Sequence, residues 1–283
     1  MRSIMNRARR AVDRGRDRLL AALEASARKQ YTQAPFCSAP LAPPSEYRRI
    51  WTEARSVSYP AVDRYEKSCG AAIDPEWLHQ LALPTQITIK ASLPCYQHGR
   101  LLYSTLVRYT RLRAHDHLNI VETGTARGFS AVCLAKALHD AAATGKIVSF
   151  DVLPHNTAIL WNCVLDADGP RTRAALLGGY ADLIERYVVF HCGDTKRALA
   201  NVSFPRIHFA FLDSVHTYDH VMAEFASIGA RQRAGDLLFF DDYTPEAYPG
   251  VVRAADEICR VHGYSGTVVT ASDHRRYLIA EKQ

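Results

Sequence analysis

Short apolar runs alternate with amphipathic stretches along the chain from about residue 117 onwards. Each run has the length of a strand, and each stretch between runs repeats its apolar side chains at helical spacing. The runs predict strands over 118–123, 147–152, 187–191, 207–213 and 236–241. The intervening stretches predict helices over 129–143, 157–167, 172–186, 218–232 and 250–262. This alternation predicts a parallel sheet with helices on both faces.

The pattern changes near the end of the chain. Two β-prone runs, 267–270 and 277–280, are separated by six mostly polar residues and predict a terminal hairpin. Five parallel strands followed by a hairpin predict an α/β fold with a Rossmann-like sheet of seven strands. Open sheets of this kind bind ligands at the carboxyl ends of their strands, so functional residues are expected at those ends.

The first 115 residues follow another pattern. Over 3–29, apolar residues recur at helical spacing between arginines, which predicts an amphipathic helix. A proline-rich linker follows, and four further helices are predicted over 46–56, 60–70, 75–82 and 99–113. The chain therefore divides into a basic helical arm (1–33), a linker and helical cap (34–115) and a ligand-binding sheet domain (116–283).

Positive charge is concentrated in the arm. The chain carries a net charge of +6, and residues 1–30 alone hold nine Lys or Arg against three Asp or Glu. The arm could pack on the body, associate with a second subunit or bind a membrane surface. We expect a homo-oligomer. Because the body is balanced in charge, we expect no nucleic-acid partner.

Composition places the chain among ordinary globular proteins, with 48% hydrophobic and 23% charged residues. No apolar run approaches the roughly 18 residues that span a bilayer. The seven cysteines are scattered, and no two lie closer than 26 residues, so no Cys-x-x-Cys zinc motif exists. Scattered cysteines of odd number predict reduced thiols in a cytoplasmic protein.

A glycine-rich turn follows the first predicted strand. Gly124 and Gly128 would let the backbone approach a ligand closely, and the helix after them offers free N–H groups. Their spacing is neither the dinucleotide fingerprint nor the phosphate loop. Glu122, just before the turn, suits a nucleotide-like cofactor with a cationic amino group. Asp151, which ends the second strand, would bind ribose hydroxyls.

Acidic residues recur at the later strand ends. Asp194 follows the third strand, where it could meet an adenine amino group or cap a helix. Asp213, Asp241 and Asp242 follow the fourth and fifth strands, and three oxygen ligands suit Mg²⁺ or a similar divalent cation. His216 lies three residues after Asp213 and could take a proton as a general base.

Together these motifs resemble class I methyltransferases that use S-adenosylmethionine (SAM), and in particular the metal-dependent O-methyltransferases of macrolide and aminocoumarin sugars and the related cephalosporin-hydroxylase group. The resemblance covers about 117–283. It implies a metal on Asp213, Asp241 and Asp242. From their positions, we expect Asp213 and His216 to be the catalytic residues. The cofactor-binding residues would be Glu122, Gly124, Thr125, Gly128, Ser130, Asp151, Asp194 and Asp213.

One departure from the family pattern concerns the base. The sugar methyltransferases carry an acid two residues after the first metal ligand, and Val215 stands there in this chain. His216 or a metal-bound hydroxide would then take the proton, or the chain is impaired in this step.

The sequence therefore predicts a SAM-dependent, divalent-metal-assisted O-methyltransferase. Its acceptor would be a hydroxyl group of a small molecule, a sugar or a glycosylated metabolite. Two alternatives remain: a nicotinamide-dependent oxidoreductase on a similar sheet, and a non-catalytic scaffold that keeps the fold.

Overall fold

The computed structural model describes residues 36–112 and 117–283. The predicted arm, 1–33, lies outside the described residues. All seven cysteines lie within them and are free thiols, as the sequence predicts.

Seven strands form one sheet in the described part of the chain, and the predicted α/β fold is confirmed. The spatial order is β3-β2-β1-β4-β5-β7-β6. The first five strands are parallel to one another, whereas β7 is antiparallel to both β5 and β6. The bounds are β1 Leu118–Thr123, β2 Gly145–Asp151, β3 Val188–Cys192, β4 Phe209–Leu212, β5 Leu237–Phe240, β6 Tyr264–Ser272 and β7 Arg275–Lys282.

Ten α-helices are present in the described residues. Several begin with proline at the first helical position, where the missing N–H has no helical partner anyway, as at Pro44, Pro60 and Pro249. The bounds are α1 Pro44–Arg55, α2 Pro60–Cys69, α3 Pro75–Thr85, α4 His98–Leu112, α5 Phe129–Asp140, α6 Arg173–Leu176, α7 Ala181–Tyr187, α8 Thr195–Ala198, α9 Tyr218–Gly229 and α10 Pro249–His262.

Side chains of the central strands alternate between two hydrophobic layers. Phe209 and Phe211 of β4 pack into the layer beneath α4 and α5, whereas Ala210 and Leu212 face the layer beneath α9 and α10. Both faces are covered, as expected for parallel strands that read as continuous apolar runs. Each fully buried Leu or Phe side chain contributes about 1.5–3 kcal/mol of burial free energy.

The predicted cap packs directly on the sheet. Helix α4 lies against α5, and its buried face joins the same hydrophobic core. His98, the first residue of α4, stacks on Phe211 with ring centroids 6.1 Å apart. The cap and the sheet therefore share one core, with the carboxyl ends of β1, β4 and β5 next to the start of α4.

Two helix predictions in the segment after β2 are wrong. The predicted helix 157–167 is irregular, because the Asp166 carboxylate accepts the backbone N–H groups of Trp161 and Cys163 and Asn162 adopts a φ of +51°. The predicted helix 172–186 is divided into α6 and α7 by the Gly178–Tyr180 turn. Local side-chain bonds compete with helix formation here.

Candidate functional site

The glycine turn after β1 has a backbone that only glycine adopts easily. Gly124 has a φ of +92°, and a Cβ there would lie 1.9 Å from the backbone oxygen of Asp213. Gly128 has a φ of +91° and precedes the first residue of α5. The turn therefore lies against the loop after β4, and the backbone itself brings the predicted cofactor residues next to the predicted catalytic acid.

Glu122 is fully buried beneath this turn. The hydroxyl groups of Ser130 and Ser149 donate to its two carboxylate oxygens. The Thr125 hydroxyl lies 2.5 Å from that of Ser149 and extends the cluster. Burial raises the pKa of Glu122 to about 7, although the two serine hydrogen bonds oppose this. Both oxygens thus bind hydroxyl groups of the chain, and direct binding of a cofactor amino group stays a prediction.

Asp151 ends β2 beside the same turn. Its carboxylate accepts the backbone N–H of Ala126 at 2.5 Å and that of Leu153 at 2.8 Å. Burial raises its pKa, and the Leu153 hydrogen bond and the nearby Arg173 charge oppose the rise. The position fits the predicted ribose-binding role.

Two arginines join the glycine turn to the segment after β2. Arg173 Nε donates to the backbone oxygen of Ala126 at 2.9 Å, and Arg127 Nε donates to the backbone oxygen of Trp161 at 2.6 Å. Both arginines are buried. The turn is therefore fixed to this segment by two contacts that the sequence motif alone does not reveal.

Asp194 caps a short helix. Its carboxylate accepts the backbone N–H of Lys196 at 2.9 Å, at the start of α8. This is the helix-capping alternative that the sequence left open. Contact with an adenine group stays a prediction.

Arg275 binds the two acids after β5. Its Nη2 donates to Asp241 Oδ2 at 2.6 Å, and its Nη1 donates to Asp242 Oδ1. Burial acts to raise the pKa of Asp241, but the charge of Arg275, the nearby His98 and the Asp242 backbone N–H together outweigh burial, and the pKa is lowered. Asp241 is therefore held as a carboxylate by an arginine that the sequence analysis did not single out.

His216 links the remaining acids. Its Nε2 lies 3.0 Å from Asp242 Oδ2 and 3.3 Å from Asp213 Oδ1. Burial acts to lower the pKa of His216, but the hydrogen bonds and charges of both acids outweigh burial and raise it to about 10. The pKa of Asp213 is well above its usual range because of burial and the nearby Asp241. In this arrangement the two acids favour the protonated imidazole. A cation bound through Nε2 would displace this proton, because histidine ligates a metal as the neutral imidazole.

The donor atoms of Asp213, His216 and Asp242 lie within 4.8 Å of one another, close enough to share one metal ion. Two carboxylates and an imidazole fit a divalent cation that accepts both oxygen and nitrogen ligands. The predicted set of three acids is divided, since Asp241 faces Arg275 instead. The site thus fits a cation, through a ligand set that includes His216.

A buried hydrogen-bond network supports these loops from below. Glu224 of α9 accepts from the hydroxyl groups of Thr195 and Ser214 at 2.6 Å each, and from Thr123 at 3.2 Å. These partners follow β3, follow β4 and end β1, respectively. Glu224 therefore joins three strand ends that carry predicted site residues. The acid at helical position 224 gave no distinct signal in the sequence.

In the residues that the structure describes, no helix combines the length and apolar character needed to cross a bilayer.

Comparison with known proteins is consistent with this geometry. Residues 121–243 match the family model described as a methyltransferase domain. That span runs from β1 to the residue after Asp242, so it contains the glycine turn and the acids of the site. A search of curated proteins found no significant match.

Solved structures share the fold at low sequence identity. An O-methyltransferase from Bacillus cereus in complex with SAH (S-adenosylhomocysteine) is 14% identical, with 90% of this chain and 100% of that chain covered and a TM-score of 0.50. The O-methyltransferase NovP is 14% identical, with 74% and 98% covered and a TM-score of 0.53. Cofactor-bound Rv0187 from MTB is 18% identical, with 80% and 98% covered and a TM-score of 0.53.

Proposed function

We propose that this chain, which carries a class I SAM-dependent methyltransferase domain, transfers the methyl group of SAM to a hydroxyl group of a small molecule. The family match supports the cofactor class. The acids and histidine beside the glycine turn support an oxygen acceptor, because they can take a proton from a hydroxyl and orient the resulting oxyanion.

One observation carries the proposal: Gly124 and the Asp213 backbone are in direct contact, with no room for a Cβ between them. A cofactor held by the turn would therefore place its methyl group close to Asp213. Methyl transfer is an in-line displacement, and fixed positions of donor and acceptor supply much of the rate.

Different residues bind the cofactor and act on the acceptor. The turn from Gly124 to Gly128 holds the methionine portion, and Asp151 holds the ribose. The acceptor oxygen attacks the methyl carbon, the carbon–sulfur bond breaks, and its electron pair stays on sulfur to give SAH. Asp213, whose backbone contacts the glycine turn, takes the hydroxyl proton, and His216 Nε2 lies 3.3 Å from its Oδ1.

A divalent cation belongs to the proposal. Asp213, His216 and Asp242 would hold it. It would supply Lewis-acid activation, lowering the pKa of an acceptor hydroxyl. Motif resemblance favours a sugar or a glycosylated metabolite as the acceptor.

The sheet argues against the oxidoreductase alternative. Dinucleotide-binding sheets have the parallel order 3-2-1-4-5-6, whereas here β7, antiparallel, stands beside β5. The scaffold alternative leaves unexplained why four titratable groups crowd together at the strand ends, because unpaired buried charge is costly.

Transfer of labelled methyl from SAM to a panel of sugars and glycosides tests the proposal. We expect labelled ether products with the wild type, and a rate of methyl transfer at least 100-fold lower with Asp213→Asn. The control Asp219→Asn, at an exposed position of α9, should transfer methyl like the wild type. Chelator should lower turnover if the cation takes part. SAM binding without transfer to any hydroxyl would contradict an oxygen acceptor.

A further inference from the structure

The terminal hairpin places the positively charged side chain of Arg275 between the two acids after β5, Asp241 and Asp242. Arg275 is the first residue of β7, and β7 runs antiparallel to β5, so its start lies beside the end of β5. The hairpin thus delivers a guanidinium to Asp241 and Asp242. Arginine stays charged and presents several donors in a planar fork.

Each oxygen of the two acids already has a partner. Asp241 Oδ2 accepts from Arg275 Nη2, and Asp241 Oδ1 accepts the backbone N–H of Asp242 at 2.9 Å. Asp242 Oδ1 accepts from Arg275 Nη1, which leaves Oδ2 facing His216. A metal ion could reach Asp242 Oδ2 without disturbing the arginine, whereas at Asp241 Arg275 occupies one oxygen and the Asp242 backbone N–H occupies the other.

Surrounding contacts hold Arg275 in this position. Its Nε donates to the hydroxyl of Tyr277 at 3.3 Å, and its charge lies 5.5 Å from the Tyr277 ring. The side chains of Asp241 and Asp242 are 1% and 5% exposed, whereas that of Arg275 is 24% exposed. Removing the guanidinium would leave the buried Asp241 carboxylate without its cationic partner, which is unfavourable.

We propose that Arg275 is a built-in counter-cation that takes Asp241 out of the metal site and restricts a divalent cation to Asp213, His216 and Asp242. The inference rests on the cation in the proposed function. Its consequence is a changed metal preference. A site with an imidazole ligand accepts Mn²⁺ readily, whereas Mg²⁺ prefers oxygen ligands alone.

Calorimetric titration of Mn²⁺ and Mg²⁺ into the full chain tests the inference without measuring turnover. We compare the wild type with Arg275→Ala and use Arg276→Ala as the matched control. Arg276 is the next residue, and its side chain pairs with the exposed Glu246 at 3.6 Å. We expect Arg275→Ala to bind Mg²⁺ at least tenfold more tightly than the wild type, because Asp241 becomes available, and Arg276→Ala to match the wild type.

Additional variants separate the ligands. With Arg275 present, the single substitutions Asp242→Asn and His216→Ala should each weaken Mn²⁺ binding at least tenfold. Asp241→Asn should change the Mn²⁺ affinity less than threefold. If Arg275→Ala does not fold, Arg275→Lys provides the comparison, since a single ammonium cannot bind both acids as a fork.

The outcomes distinguish the inference from the proposed function. Equal Mg²⁺ affinity in the wild type and Arg275→Ala would overturn the inference. So would a tenfold loss of Mn²⁺ affinity in Asp241→Asn. Metal binding by Arg275→Ala but not by the wild type would support the role of Arg275 and remove the cation from the proposed function.

Discussion

At the scale of single residues, each buried carboxylate near the site has donors of its own. Two serine hydroxyls bind Glu122, Arg275 binds Asp241, and three hydroxyls bind Glu224. A buried carboxylate without partners would cost several kcal/mol. The donors differ, and this difference sets opposite pKa shifts: neutral hydroxyls leave the pKa of Glu122 raised, whereas a guanidinium lowers that of Asp241.

Glu122 should make stability depend on pH. Its pKa is 4.5 in the unfolded chain and about 7 in the folded chain. A raised carboxyl pKa means that folding disfavours the charged form, so stability is lost as pH rises through this window. The free energy of unfolding of Glu122→Gln, measured relative to that of the wild type, should therefore increase by up to about 3 kcal/mol between pH 4 and pH 8. Urea unfolding at several pH values measures this.

An amide in place of the carboxyl group also changes the serine hydrogen bonds, but that effect is the same at every pH. The pH dependence of the difference between variant and wild type is therefore the informative quantity. A constant difference from pH 4 to pH 8 would show that the pKa of Glu122 is not raised.

At the scale of elements, the loops after the parallel strands are tied to one another and to the helices beneath them. The arginine contacts at Ala126 and Trp161 fix the glycine turn to the segment after β2. Glu224 of α9 fixes the ends of β1, β3 and β4. The arginines thus support the cofactor side of the site, whereas Glu224 supports both the cofactor side and the acceptor side.

Loss of Arg173 should loosen the glycine turn. Arg173→Ala removes the hydrogen bond to the Ala126 backbone and a buried guanidinium. We expect the dissociation constant for SAH to rise at least tenfold, about 1.4 kcal/mol. Arg171→Ala is the matched control, because Arg171 pairs with exposed Asp168, and it should bind SAH like the wild type. Unchanged affinity in Arg173→Ala would show that the turn needs no such support.

Loss of Glu224 should affect both sides of the site. Glu224→Ala removes the acceptor of three hydroxyls, of which those of Thr123 and Thr195 are buried, and should reduce the free energy of unfolding by about 1–3 kcal/mol. We expect kcat to fall in Glu224→Ala. In Glu224→Asp, which keeps a carboxylate, kcat should fall less. Glu246→Ala, at an exposed position, serves as control. Equal kcat in Glu224→Ala and the wild type would exclude a positioning role.

At the scale of the whole molecule, the positions of the strands and the carboxyl-end location of the site follow from apolar runs and the acids after them. Those features are local, so the sequence displays them. Arg275 was missed because its role depends on the pairing of β7 with β5, which joins distant positions. The irregular segment 157–167 was predicted as a helix because its apolar spacing concealed the backbone bonds of Asp166.

The shared core predicts that the sheet region does not fold alone. Helix α4 contributes fully buried Leu101, Leu102 and Leu106 to the layer above the sheet. A fragment of residues 117–283 would expose this layer, and each uncovered side chain costs about 1.5–3 kcal/mol. We expect the fragment to show no cooperative unfolding transition by circular dichroism. Cooperative unfolding of the fragment would instead support an independent domain from residue 116 onwards.

Calorimetric titration of SAH into the full chain tests the central claim most directly, with NADH as the competing ligand and Asp151→Asn as the site variant. The account predicts one SAH site of micromolar affinity, at least tenfold weaker in Asp151→Asn, and no NADH binding. Binding of NADH without SAH, or binding of neither, would contradict the assignment of the glycine turn to a SAM cofactor.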